Sequence, residues 1–467
     1  MMKALKVVFL AFAVLLLLGA GFLVYALHTR IEPLAEKPSN FEPQRVSRGA
    51  QLAAIGNCNV CHTTQGGRAF AGGLAIETPF GTIHSTNITP DVETGIGRWP
   101  EEAFQRAMRK GVDIEGRHLY PAFPYDHFTL VSDEDNKALY AYLMTREPVA
   151  NTPPANTLRF PYNIRMGVAG WKLLFFREGP YQPDPNHNAV WNRGAYLGEG
   201  LAHCGSCHTP RNMLGAEKKA EAYAGAEVEG WWAYAINKDA PAPVSWTQDA
   251  LNDFLRRGWH EAHGMARGPM SPVVSNLASV PSDEVRALAT YFATVMGEPS
   301  AEKRQKGDAL IAAARRPLIG RTAPSADTQM PAAGNVLDPG ARIYAAVCAG
   351  CHESGHPLPY GGVSLSLSTA PQGPTPDNLI NVTLYGLSAA PGERSAIMLG
   401  FRGSLNDAQV AALMSYIRGR FTDRPAWSDL EDRVRAARDG GGKKPVLYPS
   451  PGSQAAPADA SQRGVAW

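Results

Sequence analysis

The six cysteines of the 467-residue chain fall in three pairs, Cys58/Cys61, Cys204/Cys207 and Cys348/Cys351. Two residues separate the members of each pair, and a histidine follows at once: His62, His208 and His352. On a helix, residues three and four apart share a face. Two thiols and an imidazole can therefore meet one flat ligand together. The chemistry that uses this pattern is covalent attachment of c-type haem, in which the thiols bond the two vinyl groups and the histidine reaches the iron. A thioredoxin-like redox pair needs neither the histidine nor three copies. Zinc needs four ligands per site, and motifs about 145 residues apart would have to come together to supply them. Every cysteine is used in a motif, and six are too few for a disulfide-stapled scaffold of this length.

An iron that shuttles electrons without binding substrate needs a sixth ligand, often Met, which raises the potential. The repeat locates two candidates. Met270, in Gly268-Pro269-Met270-Ser271-Pro272, and Met398, in Ala396-Ile397-Met398, each precede a recurring Tyr by about 20 residues, with Met265 the local rival to Met270. The first unit breaks the rule, because the corresponding stretch Tyr120-Pro121-Ala122-Phe123-Pro124-Tyr125 holds no Met. Its nearby donors are His84, His118, His127 and Met108. His84 or His127 would give bis-His ligation and a lower potential. With neither, the iron would stay open to ligands.

Near-equal motif spacing implies three copies of one helical domain. Ahead of the cysteines lie Arg48-Gly49-Ala50-Gln51-Leu52, Arg193-Gly194-Ala195-Tyr196-Leu197 and Pro339-Gly340-Ala341-Arg342-Ile343. Near the end of each unit comes Ala-Leu-x-x-Tyr, at Ala138–Tyr142, Ala287–Tyr291 and Ala412–Tyr416. Its apolar spacing gives one helix face. Ser132 and Ser282 sit where N-caps belong. Each unit thus reads as a helix carrying the cysteines, a Gly/Pro-rich middle and a closing helix. The expected architecture is mainly α: an anchor over 1–30, then domains over 31–150, 180–300 and 330–425, with a flexible tail over 426–467. Pro-rich or polar linkers are expected near 147–190 and 298–335.

Lys3 and Lys6 precede the uncharged run Val7–Leu27, about the 20 residues that span a bilayer core. The positive flank places the N-terminus in the cytoplasm and the remainder outside. Gly19-Ala20-Gly21 lies inside the run and makes a poor signal-peptidase site. A net charge of +2 argues against a nucleic-acid partner. No nucleotide-binding glycine fingerprint has the required strand–turn–helix setting.

These motifs, together with Thr78-Pro79-Phe80-Gly81-Thr82-Ile83-His84-Ser85-Thr86-Asn87-Ile88-Thr89-Pro90-Asp91, Leu119-Tyr120-Pro121-Ala122 and Gly268-Pro269-Met270, give a chain that resembles the membrane-anchored tri-haem cytochrome c subunits of bacterial periplasmic dehydrogenases. The resemblance runs from the N-terminus to about residue 420. It implies three covalent haems, a site in the inner membrane with the domains on the periplasmic side, and a catalytic partner. That partner is a PQQ alcohol dehydrogenase, a flavin sugar-acid dehydrogenase or a molybdenum hydroxylase with iron–sulfur clusters. Electrons would pass to ubiquinone or a terminal oxidase. Phe123, where the alcohol-dehydrogenase type has Met, and His84, where it has Tyr, look more like subunits serving molybdenum hydroxylases of aldehydes or N-heterocycles. The expected role is a redox subunit without organic chemistry of its own; the rival is a stand-alone haem enzyme working at an open first haem.

Overall fold

The computed structural model describes residues 2–315, 338–354, 362–388 and 397–440. Two compact units emerge: Met1–Asn186 with Tyr196–His203 and Asn212–Ala216, and His187–Ala195 with Cys204–Arg211 and Glu217–Trp467.

In the first unit, Pro43 opens the helix Pro43–Ile55, where its missing N–H costs nothing. This helix buries Leu52, Ala53, Ala54 and Ile55. The closing helix Asp133–Met144 starts at Ser132, whose hydroxyl accepts from the Asp135 amide. It buries Leu139 and Leu143. Each such leucine stabilises the core by about 1.5–3 kcal/mol. The helices meet at Gly49, where an added Cβ would stand 1.9 Å from the Ala138 carbonyl oxygen. Arg48 reaches across to Asp135 at 3.2 Å. An antiparallel hairpin, Ala75–Thr78 with Gly81–His84, pairs Ala75 with His84 and is extended by Thr157–Leu158.

The second unit repeats the crossing twice. Ala189–Ala195 meets Ser282–Met296 at Gly194, and Pro339–Ile343 meets Asp407–Phe421 at Gly340. An added Cβ would stand 2.0 Å from Ala287 O at Gly194 and 2.2 Å from Ala412 O at Gly340. Arg193 holds Glu284 with two bonds of 2.8 Å, repeating the Arg48–Asp135 pair. The last core gathers Tyr344, Ile380, Leu384, Leu413 and Met414. A hairpin, Ala226–Val228 with Trp231–Ala233, recurs in this unit. Asn378 clasps it: its Oδ1 accepts from the Trp232 amide at 2.7 Å and its Nδ2 donates to the Trp232 carbonyl at 2.9 Å. Asn381 adds a bond to the Gly230 carbonyl at 2.9 Å.

Several expectations change. The stretch 298–335, read as a linker, contains the helix Ala301–Ala314, capped by Ser300. The linker near 147–190 contains the helix Gly167–Phe175. The tail expected to be flexible begins with the helix Leu430–Asp439, whose Val434 enters the last core. Residues 316–337 and 441–467 lie outside the described ones. Ser282 is the first helical residue and not the cap, a position that Pro281 takes. The N-terminal helix Met2–Ala26 is 25 residues long, and several of its side chains are outside the description. Among the described residues no helix is long and apolar enough to cross a membrane.

Candidate haem-binding sites

Each opening helix is distorted just before its cysteines. In the first repeat it stops at Gly56, and Asn57 adopts a left-handed φ of 52° before the short helix Cys58–Cys61. In the other two the chain widens into π-turns, Tyr196–Leu201 and Tyr344–Cys348. Such π-turns are concentrated at functional sites. They re-aim the cysteines and the histidine at or just beyond their ends.

The three histidines share one second contact. His62 Nδ1 lies 2.6 Å from the Thr86 carbonyl, His208 Nδ1 2.6 Å from the Tyr234 carbonyl, and His352 Nδ1 2.8 Å from the Val363 carbonyl. A carbonyl only accepts, so Nδ1 carries the hydrogen in all three rings. This fixes the tautomer and leaves the Nε2 lone pair for a metal, the arrangement that orients metal-binding imidazoles. Burial holds all three imidazoles below their ordinary pKa, against the opposing pull of the carbonyl bond. A neutral ring is the form that coordinates.

None of the six cysteines is in a disulfide. Cys61 and Cys351 are exposed, Cys348 is buried and the others are half-buried. Burial, with the paired Cys61 next, pushes the Cys58 thiol up to about 12. It raises Cys207 and Cys348 to about 11. These are poor thiolates, unsuited to redox exchange at neutral pH. Two thiols beside a tautomer-fixed imidazole fit a covalently attached haem in each repeat.

The proposed sixth ligands are less uniform. Met270 is half-buried and opens the helix Met270–Leu277, where a loop was expected. Met398 is half-buried in a two-residue bridge with Leu387, their main chains bonded at 2.8 and 3.0 Å. Met265 lies in a strand opposite Trp259. In the first unit, His84 ends the hairpin, and its Nδ1 is buried with no hydrogen-bond partner. It stands two residues from Thr86, on the segment that backs His62. His127 is buried, with its Nδ1 donating to the Glu199 carbonyl at 2.6 Å. His118 has both ring nitrogens engaged, by the Ala26 carbonyl and by Lys172 Nζ. Met108 is core. Sequence reasoning missed Thr86, Tyr234 and Val363, because a carbonyl acceptor has no side-chain signature.

Residues 46–147 match the cytochrome c family, and residues 335–417 match the family described as cytochrome C oxidase, cbb3-type, subunit III. The fructose dehydrogenase cytochrome subunit of Gluconobacter japonicus is 36% identical over 91% of this chain and 89% of its own length. The chain belongs to the family of dehydrogenase cytochrome c subunits. Another member, the gluconate 2-dehydrogenase cytochrome c subunit of Pantoea cypripedii, is 37% identical over 80% of this chain and 85% of its own. A nicotinate dehydrogenase subunit of Pseudomonas putida is 45% identical over 90% of this chain, which spans only 34% of that protein. Membership in this cytochrome family brings covalent haem c and a dehydrogenase partner with it.

Proposed function

We propose that this chain is a tri-haem electron-transfer subunit, carrying electrons from a catalytic dehydrogenase to ubiquinone or the respiratory chain. The observation that carries the reading is the threefold bond from His62, His208 and His352 to a main-chain carbonyl. Bound haem supplies one-electron redox chemistry. The chain's own residues fix the porphyrins through Cys58/Cys61, Cys204/Cys207 and Cys348/Cys351 and set the orientation of each proximal imidazole. Met270 and Met398 take the sixth positions in the second and third domains. One of His84 and His127 takes it in the first, and the spin state of the single alanine variants assigns it. The domains follow the repeats, over 31–150, 180–300 and 330–425.

The partner is a molybdenum hydroxylase acting on aldehydes or N-heterocycles. Phe123 and His84 support this, as does the similarity to a nicotinate dehydrogenase subunit, nicotinate being an N-heterocycle. A PQQ alcohol dehydrogenase is the second reading, favoured by the cytochrome c subunit of a quinone-type alcohol dehydrogenase that is 31% identical over 94% of this chain. The helix Met2–Ala26 anchors the chain in the inner membrane with its domains in the periplasm. At 1.5 Å per residue it is about 37 Å long, and Phe9, Leu10, Leu17 and Val24 are exposed along it. The test is pyridine-haemochrome absorbance against protein mass in the matured chain. Three haems per chain is the expected ratio; a ratio near two overturns it. Mass spectrometry of the co-purified complex names the partner.

A further inference from the structure

The helix Gly167–Phe175 is built inside out. It buries Val168, Ala169 and Lys172, while Leu173 and Leu174 point outward, Leu174 with 64% of its surface exposed. A helix on a water-facing surface turns its charges out and its leucines in. Apolar side chains also stand out on the adjoining chain: Phe160 is 78% exposed, and Ile164 and Met166 are exposed as well. Met213, 92% exposed, precedes Leu214, whose carbonyl accepts from Trp171 of the same helix. Together they expose more apolar side chain on one stretch of the unit than soluble proteins usually show to water.

Two features show what covers it. The first is continuity with the N-terminal helix. Lys172 Nζ donates to His118 Nδ1 at 3.0 Å, and His118 Nε2 donates to the carbonyl of Ala26, the last residue of that helix, at 3.0 Å. Arg165 adds a bond to the His118 carbonyl at 2.8 Å. The patch is therefore bonded to the end of Met2–Ala26. The second is charge. Residues 157–180 carry Arg159, Arg165, Lys172 and Arg177 against Glu178 alone, and Arg159 and Arg177 are exposed. Exposed guanidinium groups beside leucine and phenylalanine suit phosphate headgroups above an acyl layer. Trp171 is half-buried at the edge, as interfacial tryptophans are.

We propose that this surface lies in the headgroup layer of a lipid bilayer, with Phe160, Leu173 and Leu174 at the acyl boundary. The chain then holds the membrane twice, by a spanning helix and by a monotopic patch. Placement beside the bilayer rests on reading Met2–Ala26 as an anchor; the inside-out helix stands independently of it.

The test is nitroxide depth measurement on the full, matured chain in nanodiscs of phosphatidylcholine and phosphatidylglycerol in a roughly three-to-one ratio. The label is carried on p-acetylphenylalanine, which is independent of the native cysteines. It replaces Leu174, Phe160, Val14 in the N-terminal helix or Val92, an exposed residue of the same unit, one at a time. At Leu174 and Phe160, collisions with apolar oxygen should exceed those with a water-soluble nickel chelate, and at Val92 the order should reverse. Labels at Leu174 and Phe160 that behave like Val92 overturn the proposal, whatever Val14 reports. A water-exposed label at Val14 overturns the anchor reading separately. Protection of Leu174 from both relaxants only when the catalytic subunit is bound assigns the patch to that protein, and also overturns the proposal.

Discussion

The three glycine crossings make a quantitative prediction. Alanine at Gly49, Gly194 or Gly340 places a Cβ 1.9, 2.0 or 2.2 Å from a backbone oxygen of the closing helix. Ordinary contact begins at 3.4 Å, so at Gly49 the helices must part by about 1.5 Å. The obstructing atoms are main chain and cannot swing aside. Overpacking of this kind costs about 1–3 kcal/mol. Parting the helices also forfeits dispersion across the whole crossing. Replacing a helical glycine gives back up to about 1 kcal/mol. The net expectation is about 2 kcal/mol per variant, a fall of roughly 8–16 °C in the melting temperature of a domain of about 100 residues. Gly419 is the control. It lies in the closing helix of the third repeat with nothing within 4 Å of an added Cβ, so Gly419→Ala should be neutral or stabilising. Calorimetry, with hydrogen-exchange mass spectrometry to localise the loosening, measures the effect. Variants at the three crossings that melt with Gly419→Ala would refute the close approach and with it the shared helix crossing of the repeats.

Met270→Ala and Met398→Ala should each remove one methionine-to-iron charge-transfer band and lower one midpoint potential, read by near-infrared absorbance and redox titration; unchanged spectra reject the ligand. Arg193→Met should cost about 2–3 kcal/mol, because it strips both 2.8 Å bonds from Glu284, whose side chain is 9% exposed. Arg48→Met leaves Asp135 the Tyr196 hydroxyl at 2.8 Å and should also destabilise; denaturant titration measures both. Burial, and next the Lys172 charge, lower His118 to about 4. The unfolded chain therefore takes up this proton first as pH falls. The His118 contribution to stability is full above about pH 6.5 and is lost as pH falls toward 4. His118→Asn should flatten that slope in melting curves taken from pH 7 to 5.

The sequence showed the threefold repeat because each copy must bring two thiols and an imidazole to one face. It also showed the closing helices, whose alanine, leucine and tyrosine lie on one stripe. Gly49, Gly194 and Gly340 stood in the quoted segments, but their meaning needed a second helix against them. The helix Ala301–Ala314 escaped because its apolar contacts, Leu310, Ile311 and Ala314, crowd its last turns and it fully buries only Gly307. Leu430–Asp439 escaped because its apolar face is only three residues, Leu430, Val434 and Ala437, of which Val434 alone is fully buried. The carbonyls behind the three histidines escaped because any residue can supply one. His84 and His127 both remained in view because the first repeat lacks the methionine that marks the position in its sisters.

The Asn378 clasp has a mechanical consequence. The hairpin it grips ends one residue before Tyr234, whose carbonyl steadies His208, while Asn378 belongs to the helix Asp377–Tyr385, which supplies Leu379, Ile380 and Leu384 to the last core. A swing of either half strains the same few amides. On the tri-haem reading, these three short bonds help set the gap between the haems that the two halves would hold. Tunnelling there should be insensitive to viscosity.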